Sequence, residues 1–222
     1  MDSVVRAPVL FFDFDNTITQ GDVLDRVIER YSASDSWREW EAQWQAATMT
    51  TRECLQRQVG DLRVTREELL RFMDGVAIDP GFAAIVAWAA RHGIEVSILS
   101  DNFAPLIAEI LRHHGLEAIP VFANALTFDG DRTQAHFPWH DPACARCAHC
   151  KAQHLRARAG NTRIFVGDGL SDVCGALAAD LVFAKDSLAA ELAKRGVAFQ
   201  AYASLGEVLR YLEVHFGHAS VA

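Results

Sequence analysis

No stretch of this chain approaches the roughly 18 consecutive apolar residues that a membrane helix needs, so the sequence offers no α-helical span. Positive charge is also short: 21 Lys and Arg stand against 29 Asp and Glu, a formal net charge of −8. Nucleic-acid backbones are bound by clustered cations, and none are clustered here, so nucleic acid is not an expected partner. The same balance gives no long-range steering of an anionic substrate. Any anion must be held locally, by backbone amides, a lysine or a metal. The opening residues, MDSVVRAPVL, lack the apolar core of a secretory leader. Five cysteines, an odd number with three of them inside seven residues, do not make a secreted disulfide framework. These absences lead to the expectation of a cytoplasmic protein. Internal repeats and low-complexity tracts are missing too, which excludes solenoids and disordered linkers. What remains is globular: half of the 222 residues are hydrophobic, enough to bury a core without covalent staples, in one domain or one with an insertion.

The stretch that organises the chain is Val9–Thr19, VLFFDFDNTIT. A short apolar run delivers Asp13 and Asp15, with Thr17 two positions later. Apolar residues followed at once by carboxylates fit a buried parallel strand whose C-terminal end opens into a site. The same letters also fit a polar turn after a core strand. Carboxylates held that close repel each other unless a cation neutralises them or one is protonated, and a hard divalent cation such as Mg²⁺ suits them.

Residues 20–78 show helical spacing and no strand pattern. Val23, Val27 and Tyr31 recur on one face, as do Trp37, Trp40 and Trp44. The tryptophan stripe reads as packing between helices rather than as a ligand shelf. From Gly81 the chain alternates helix and strand, with a hairpin around Asp129-Gly130. The reading is an α/β fold: a doubly wound parallel sheet formed by residues 1–19 and 79–222, with a helical cap, residues 20–78, inserted after the first strand. Polar clusters follow three of the strands: Asp13/Asp15/Thr17, Ser100/Asp101/Asn102 and Asp168/Ser171/Asp172. In a parallel sheet the C-terminal strand ends share one edge, and this concentration favours the site over the turn.

Taken in order, DFDNT, SDNF, Lys151 opening a helix and GDGLSD resemble the four motifs of the haloacid dehalogenase superfamily of phosphatases, and the resemblance spans essentially the whole chain. The helical insertion resembles the cap of the phosphoserine-phosphatase-like subclass. The resemblance implies a Rossmann-like core, Mg²⁺ and hydrolysis of a small phosphorylated metabolite through an aspartyl-phosphate. It implies Asp13 as nucleophile and Asp15 as general acid and base. Thr17, Ser100 and Lys151 would hold the phosphoryl oxygens, and Asp13, the Asp15 carbonyl and Asp168 the metal. Asp172 is expected to hold the metal's water shell or Lys151. Bland readings stand beside these: Ser100 as a helix cap, Lys151 as a solvated lysine, Asp172 as a first-turn aspartate. Asp22 either faces the substrate or starts a cap helix. A phosphomutase and a non-catalytic binding protein on the same scaffold are rival functions, and the oligomeric state is not legible.

The loop His140–Lys151 carries Cys144, Cys147 and Cys150 at successive CxxC spacings. With His140 or His149 they are a candidate zinc site; a redox pair and free thiols are the alternatives. Cysteines just before the lysine, and the text Gly175–Lys185 after GDGLSD, resemble the methionine-salvage branch, which dephosphorylates 2-hydroxy-3-keto-5-methylthiopentenyl-1-phosphate. A similar segment occurs in phosphoethanolamine/phosphocholine phosphatases, and phosphoserine is a further alternative.

Overall fold

The computed structural model describes residues 6–144 and 146–217. In chain order, β1 (Pro8–Phe12) is followed by four helices, α1 (Val23–Tyr31), α2 (Trp37–Gln45), α3 (Thr51–Asp61) and α4 (Arg66–Phe72). Then come α5 (Pro80–Arg91), β2 (Glu95–Phe103), α6 (Ala104–His113), β3 (Val121–Asp129) and β4 (Arg132–His136). The last third holds α7 (Lys151–Arg156), β5 (Thr162–Gly167), α8 (Val173–Ala176), β6 (Leu181–Ala184), α9 (Asp186–Lys194), β7 (Gln200–Ala201) and α10 (Leu205–Phe216). The chain falls into two units: Met1–Gln20, Ile78–Leu99 and Lys151–Ala222 form one, Gly21–Ala77 and Ser100–Cys150 the other.

In the first unit the strands lie in the order β2-β1-β5-β6-β7, all parallel. Parallel strands are covered on both faces, so the sequence of a central strand is apolar without alternation. β1 reads PVLFF and every residue of it is buried. Phe12 stands opposite Ile98 on β2 and Val166 on β5, and the Asp13 amide extends the ladder to the Val166 carbonyl at 2.9 Å. Beyond the strand, Phe14 and Ile18 turn back into the core and are fully buried, so the polar residues between them stay at the sheet edge. Asp79 caps α5 through the Gly81 amide at 2.8 Å and also accepts from the Leu205 amide at 3.0 Å. α5 and α10 approach so closely there that a Cβ on Gly81 would lie 2.4 Å from the Gly206 nitrogen.

In the second unit α1, α3 and α4 begin at side-chain caps: Asp22 for α1, Thr50 for α3, Thr65 for α4. The last two are full capping boxes closed by Glu53 and Glu68. β3 and β4 form the antiparallel hairpin expected around Asp129-Gly130, with Gly130 at φ +61°. Two features refine the sequence reading. The tryptophan stripe packs between helices, as expected, but only half-buried: no residue of α2 is fully buried, Arg38 lies over the Trp37 ring, and Trp44 donates to Thr51 Oγ1 at the start of α3 at 2.9 Å. Second, residues 100–150 group with the helical insertion, not with the sheet unit. The reason is the hairpin, whose Thr133 hydroxyl donates to the Val59 carbonyl at 2.5 Å while Val64 donates to the Asp131 carbonyl at 2.9 Å. Among the described residues no helix is long and apolar enough to cross a membrane.

Candidate active site

The sheet unit carries its functional side chains on the loops after β1, β5 and β6 and at the start of α7. β5 ends in Gly167, where a Cβ would fall 2.5 Å from Asp172 Oδ2, so glycine is the residue that lets the strand end and the Asp172 carboxylate touch. Asp172 uses that proximity to accept from the amides of Asp168 and Gly169 at 3.0 and 3.1 Å. Its other oxygen pairs with Lys151 Nζ at 2.5 Å, and the same ammonium pairs with Asp13 Oδ1. Lys151 is 1% exposed. A buried ammonium is stable only when paired and hydrogen-bonded, and the two carboxylates supply this.

Asp168 completes the group. Its Oδ1 accepts from the Thr17 hydroxyl at 3.0 Å and its Oδ2 from the Asn16 amide at 2.8 Å. Oxygens of Asp13, Asp168 and Asp172 all lie within 4.8 Å of one another. Burial raises the Asp13 carboxyl well above the usual carboxylate range, with the neighbouring Asp172 and Asp168 charges adding and Lys151 opposing. Burial and Asp172 raise Asp168 as well, against the hydrogen bonds from Asn16 and Thr17. Three carboxylates crowd one ammonium, so once ionised the set is short of positive charge. An oxygen-only donor set with that deficit fits a hard divalent cation.

Asp13, Asp168, Asp172, Lys151 and Thr17 are therefore gathered, with Asp15 two residues beyond Asp13 on the same loop. The remaining sequence candidates belong to the other unit. Asp22 accepts from the Asp25 amide at 2.9 Å and caps α1, the helix-start alternative. Ser100 is buried and its hydroxyl accepts from the Asn102 amide at 3.0 Å. Asp101 Oδ1 accepts from the His149 amide at 2.9 Å, and the fully buried His149 ring contacts the Ser100 carbonyl through Nδ1 at 2.9 Å. In the cysteine loop, His140 Nδ1 contacts the Cys147 carbonyl at 3.2 Å and Cys150 Sγ lies 3.8 Å from Asp141 Oδ2. The sequence reading overlooked Asn16 and Asp186. The rule that found the other clusters, polar residues directly after a strand, applies equally to Asp186 behind β6.

A metal-suited carboxylate cluster around a buried lysine, at the C-terminal edge of a parallel sheet, is the arrangement of an α/β protein built to hold a divalent cation with an anionic ligand. Residues 10–177 match the haloacid dehalogenase-like hydrolase family, and the chain belongs to it. Among its relatives is the 2-hydroxy-3-keto-5-methylthiopentenyl-1-phosphate phosphatase of Brevibacillus brevis, 30% identical over 215 residues, 92% of this chain and 95% of that protein. The enzyme of the same name from Microcystis aeruginosa is 25% identical over 92% of this chain and 97% of its own. In fold the chain is similar to a phosphoserine phosphatase solved as a phospho-aspartyl intermediate analogue, with TM-score 0.72 and 18% identity over 93% of this chain and 99% of that one. A haloacid dehalogenase family hydrolase of Salmonella enterica serovar Typhi gives TM-score 0.74 at 16% identity, over 96% and 74% of the two chains.

Proposed function

We propose that this protein is a Mg²⁺-dependent phosphomonoesterase of the cytoplasm, and that 2-hydroxy-3-keto-5-methylthiopentenyl-1-phosphate is its substrate. The observation that carries the chemistry is the buried Asp13 carboxylate, paired with Lys151 and within 4.8 Å of the carboxylate oxygens of Asp168 and Asp172. The substrate rests on the 30% identity to the Brevibacillus brevis enzyme over nearly the full length of both chains. Phosphoserine and phosphoethanolamine or phosphocholine are the alternatives.

Asp13, the Asp15 carbonyl and Asp168 would hold Mg²⁺, with Asp172 behind them. Bound there, the ion masks negative charge on the phosphoryl group and the nucleophile. Asp13 attacks phosphorus, the phosphorus–oxygen bond to the substrate alcohol breaks, and the alcohol takes a proton from Asp15. Asp15 then accepts a proton from water as that water attacks the aspartyl-phosphate, which frees Asp13 and releases phosphate. Lys151, Thr17 and Ser100 are the proposed holders of the phosphoryl oxygens, with Lys151 also keeping Asp13 oriented. Phosphate release measured over a panel of small phosphorylated metabolites tests the reading. The methylthiopentenyl phosphate should give the highest kcat/KM, and release from none of the panel would overturn it.

A further inference from the structure

Only three non-glycine residues among those described have positive φ, and two of them, Asn16 at +52° and Asp186 at +46°, meet. Asn16 Nδ2 donates to Asp168 Oδ2 at 2.8 Å and to Asp186 Oδ2 at 3.1 Å. The amide thus stands between two carboxylates from the loops after β5 and β6. Left-handed backbone at a non-glycine residue is sparsely populated and persists where surroundings hold it. Here the holding contacts are visible. The Asn16 backbone N–H donates to Thr19 Oγ1 at 3.1 Å, and the Thr19 backbone N–H donates to the Phe14 carbonyl at 3.1 Å. On the other side, Leu188 and the Ser187 hydroxyl donate to the Asp168 carbonyl at 2.7 and 3.3 Å, and Lys185 to the Gly167 carbonyl at 3.3 Å.

We infer that Asn16 and Asp186 are a positioning pair for the Asp168 carboxylate: Asp186 fixes the amide of Asn16, and Asn16 with Thr17 fixes the plane in which Asp168 presents its oxygens to a divalent cation. The torsion that turns a carboxylate about its own bond is broad and two-fold, so Asp168 needs partners to have one plane. Thr17 holds one oxygen and Asn16 the other. Each oxygen keeps further lone-pair capacity for a cation. An asparagine amide has two N–H bonds, and with both directed at carboxylates its orientation is set as well. Asp186 is exposed, so its bond alone stabilises little. Its effect is on which way Asn16 points. Groups that orient metal ligands change metal affinity by about 10- to 100-fold when removed.

This inference rests on the reading of the site as a divalent-cation centre. The test uses calorimetric titration of the metal-free protein with Mg²⁺ alone, in the absence of substrate. Asn16→Gly and Asp186→Gly both tolerate the local backbone. The first should raise the Mg²⁺ dissociation constant about tenfold and the second by about threefold to tenfold. Combined, the two should do no more than Asn16→Gly alone, because they remove one relay. Asp186→Asn separates the relay from simple charge. Its amide oxygen still accepts from Asn16, so affinity should return to that of the wild type, whereas a charge effect would leave it as weak as Asp186→Gly. Wild-type affinity in Asn16→Gly, additive losses in the double variant, equal losses in Asp186→Asn and Asp186→Gly, or no Mg²⁺ binding by the wild type would each overturn the inference. The metal-free melting temperature of each variant exposes a merely structural effect, which would lower it in step with affinity and would also overturn the positioning role. Phosphate release by the wild type is scored separately: Mg²⁺ binding with the pattern above but no release on any substrate overturns the proposed function and leaves this inference standing.

Discussion

Glu53 and Glu68 stand exposed at helix N-termini in the helical unit, each accepting from the backbone and hydroxyl of the threonine three residues before it, at 2.7 to 3.2 Å. Asp13 and Asp168 stand at the end of a parallel sheet, taken out of water and crowded by Asp172. The backbone and side-chain hydrogen bonds from Thr50 and Thr65 hold the two glutamates below their ordinary range, whereas burial drives the two aspartates above theirs. In one unit the charges support helices that have few buried residues. In the other, charge is held against the preference of its surroundings, a state kept because Lys151 and the surrounding core fix it and because a cation can relieve it.

The sharpest way to break this contrast is Asp13→Asn. Loss of a covalent nucleophile lowers turnover by about 10⁴-fold or more, and phosphate-release assays should show this while the metal-free protein melts no lower than wild type. Lys151→Met should also abolish turnover, but with the opposite effect on the fold. It leaves two buried carboxylates without their cation, and denaturant titration should show a loss of about 3 kcal/mol or more. Equal stability of the two variants would remove the distinction between a strained charge and its counterion.

Titration sharpens the same contrast because the two sets carry opposite signs. A carboxylate raised in the folded state favours folding only while protonated, so its contribution is lost as pH climbs from about 3.9 through the raised value. Asp168→Asn should therefore be more stable than wild type at pH 7 in a chelator, with the gain shrinking toward pH 4. A lowered carboxylate stabilises above about 4.3 and loses this as pH falls through its depressed value. Glu68→Gln should accordingly be less stable than wild type near neutrality, with the gap closing in acid. Melting curves at a series of pH values check both slopes. The smallest expected effect is that of Thr50→Ala, about 1 kcal/mol from a lost cap, with kcat/KM unchanged within about twofold.

The residues that were legible in the sequence are those whose local chemistry agrees with their place in the fold. VLFF followed by DFD fits a buried strand ending in charge, and the polar clusters after two further strands favoured that reading over a plain turn. Lys151 is different. A lysine at a helix start is ordinarily solvated, and nothing near it in sequence announces that Asp13, 138 positions away, will bury it. Its place came from motif order alone. The tryptophans of α2 were placed on the right face, but helical spacing reports a shared face, not how deeply it is covered, and they are only half-buried. The grouping of residues 100–150 with the insertion depends on hairpin contacts to α3 made by Thr133 and Asp131, polar residues with no periodic signature. Asn16 and Asp186 escaped notice because their relation to Asp168 spans three separate loops.

The central claim is that Asp13 carries the phosphoryl group. Acid quench in mid-turnover with the preferred substrate and Mg²⁺, followed by mass-spectrometric mapping, measures this directly. The account predicts a phosphoryl ester on Asp13, absent in Asp13→Asn; a phosphoryl group on another residue, or steady release with no phosphorylated protein and undiminished turnover in Asp13→Asn, would contradict it.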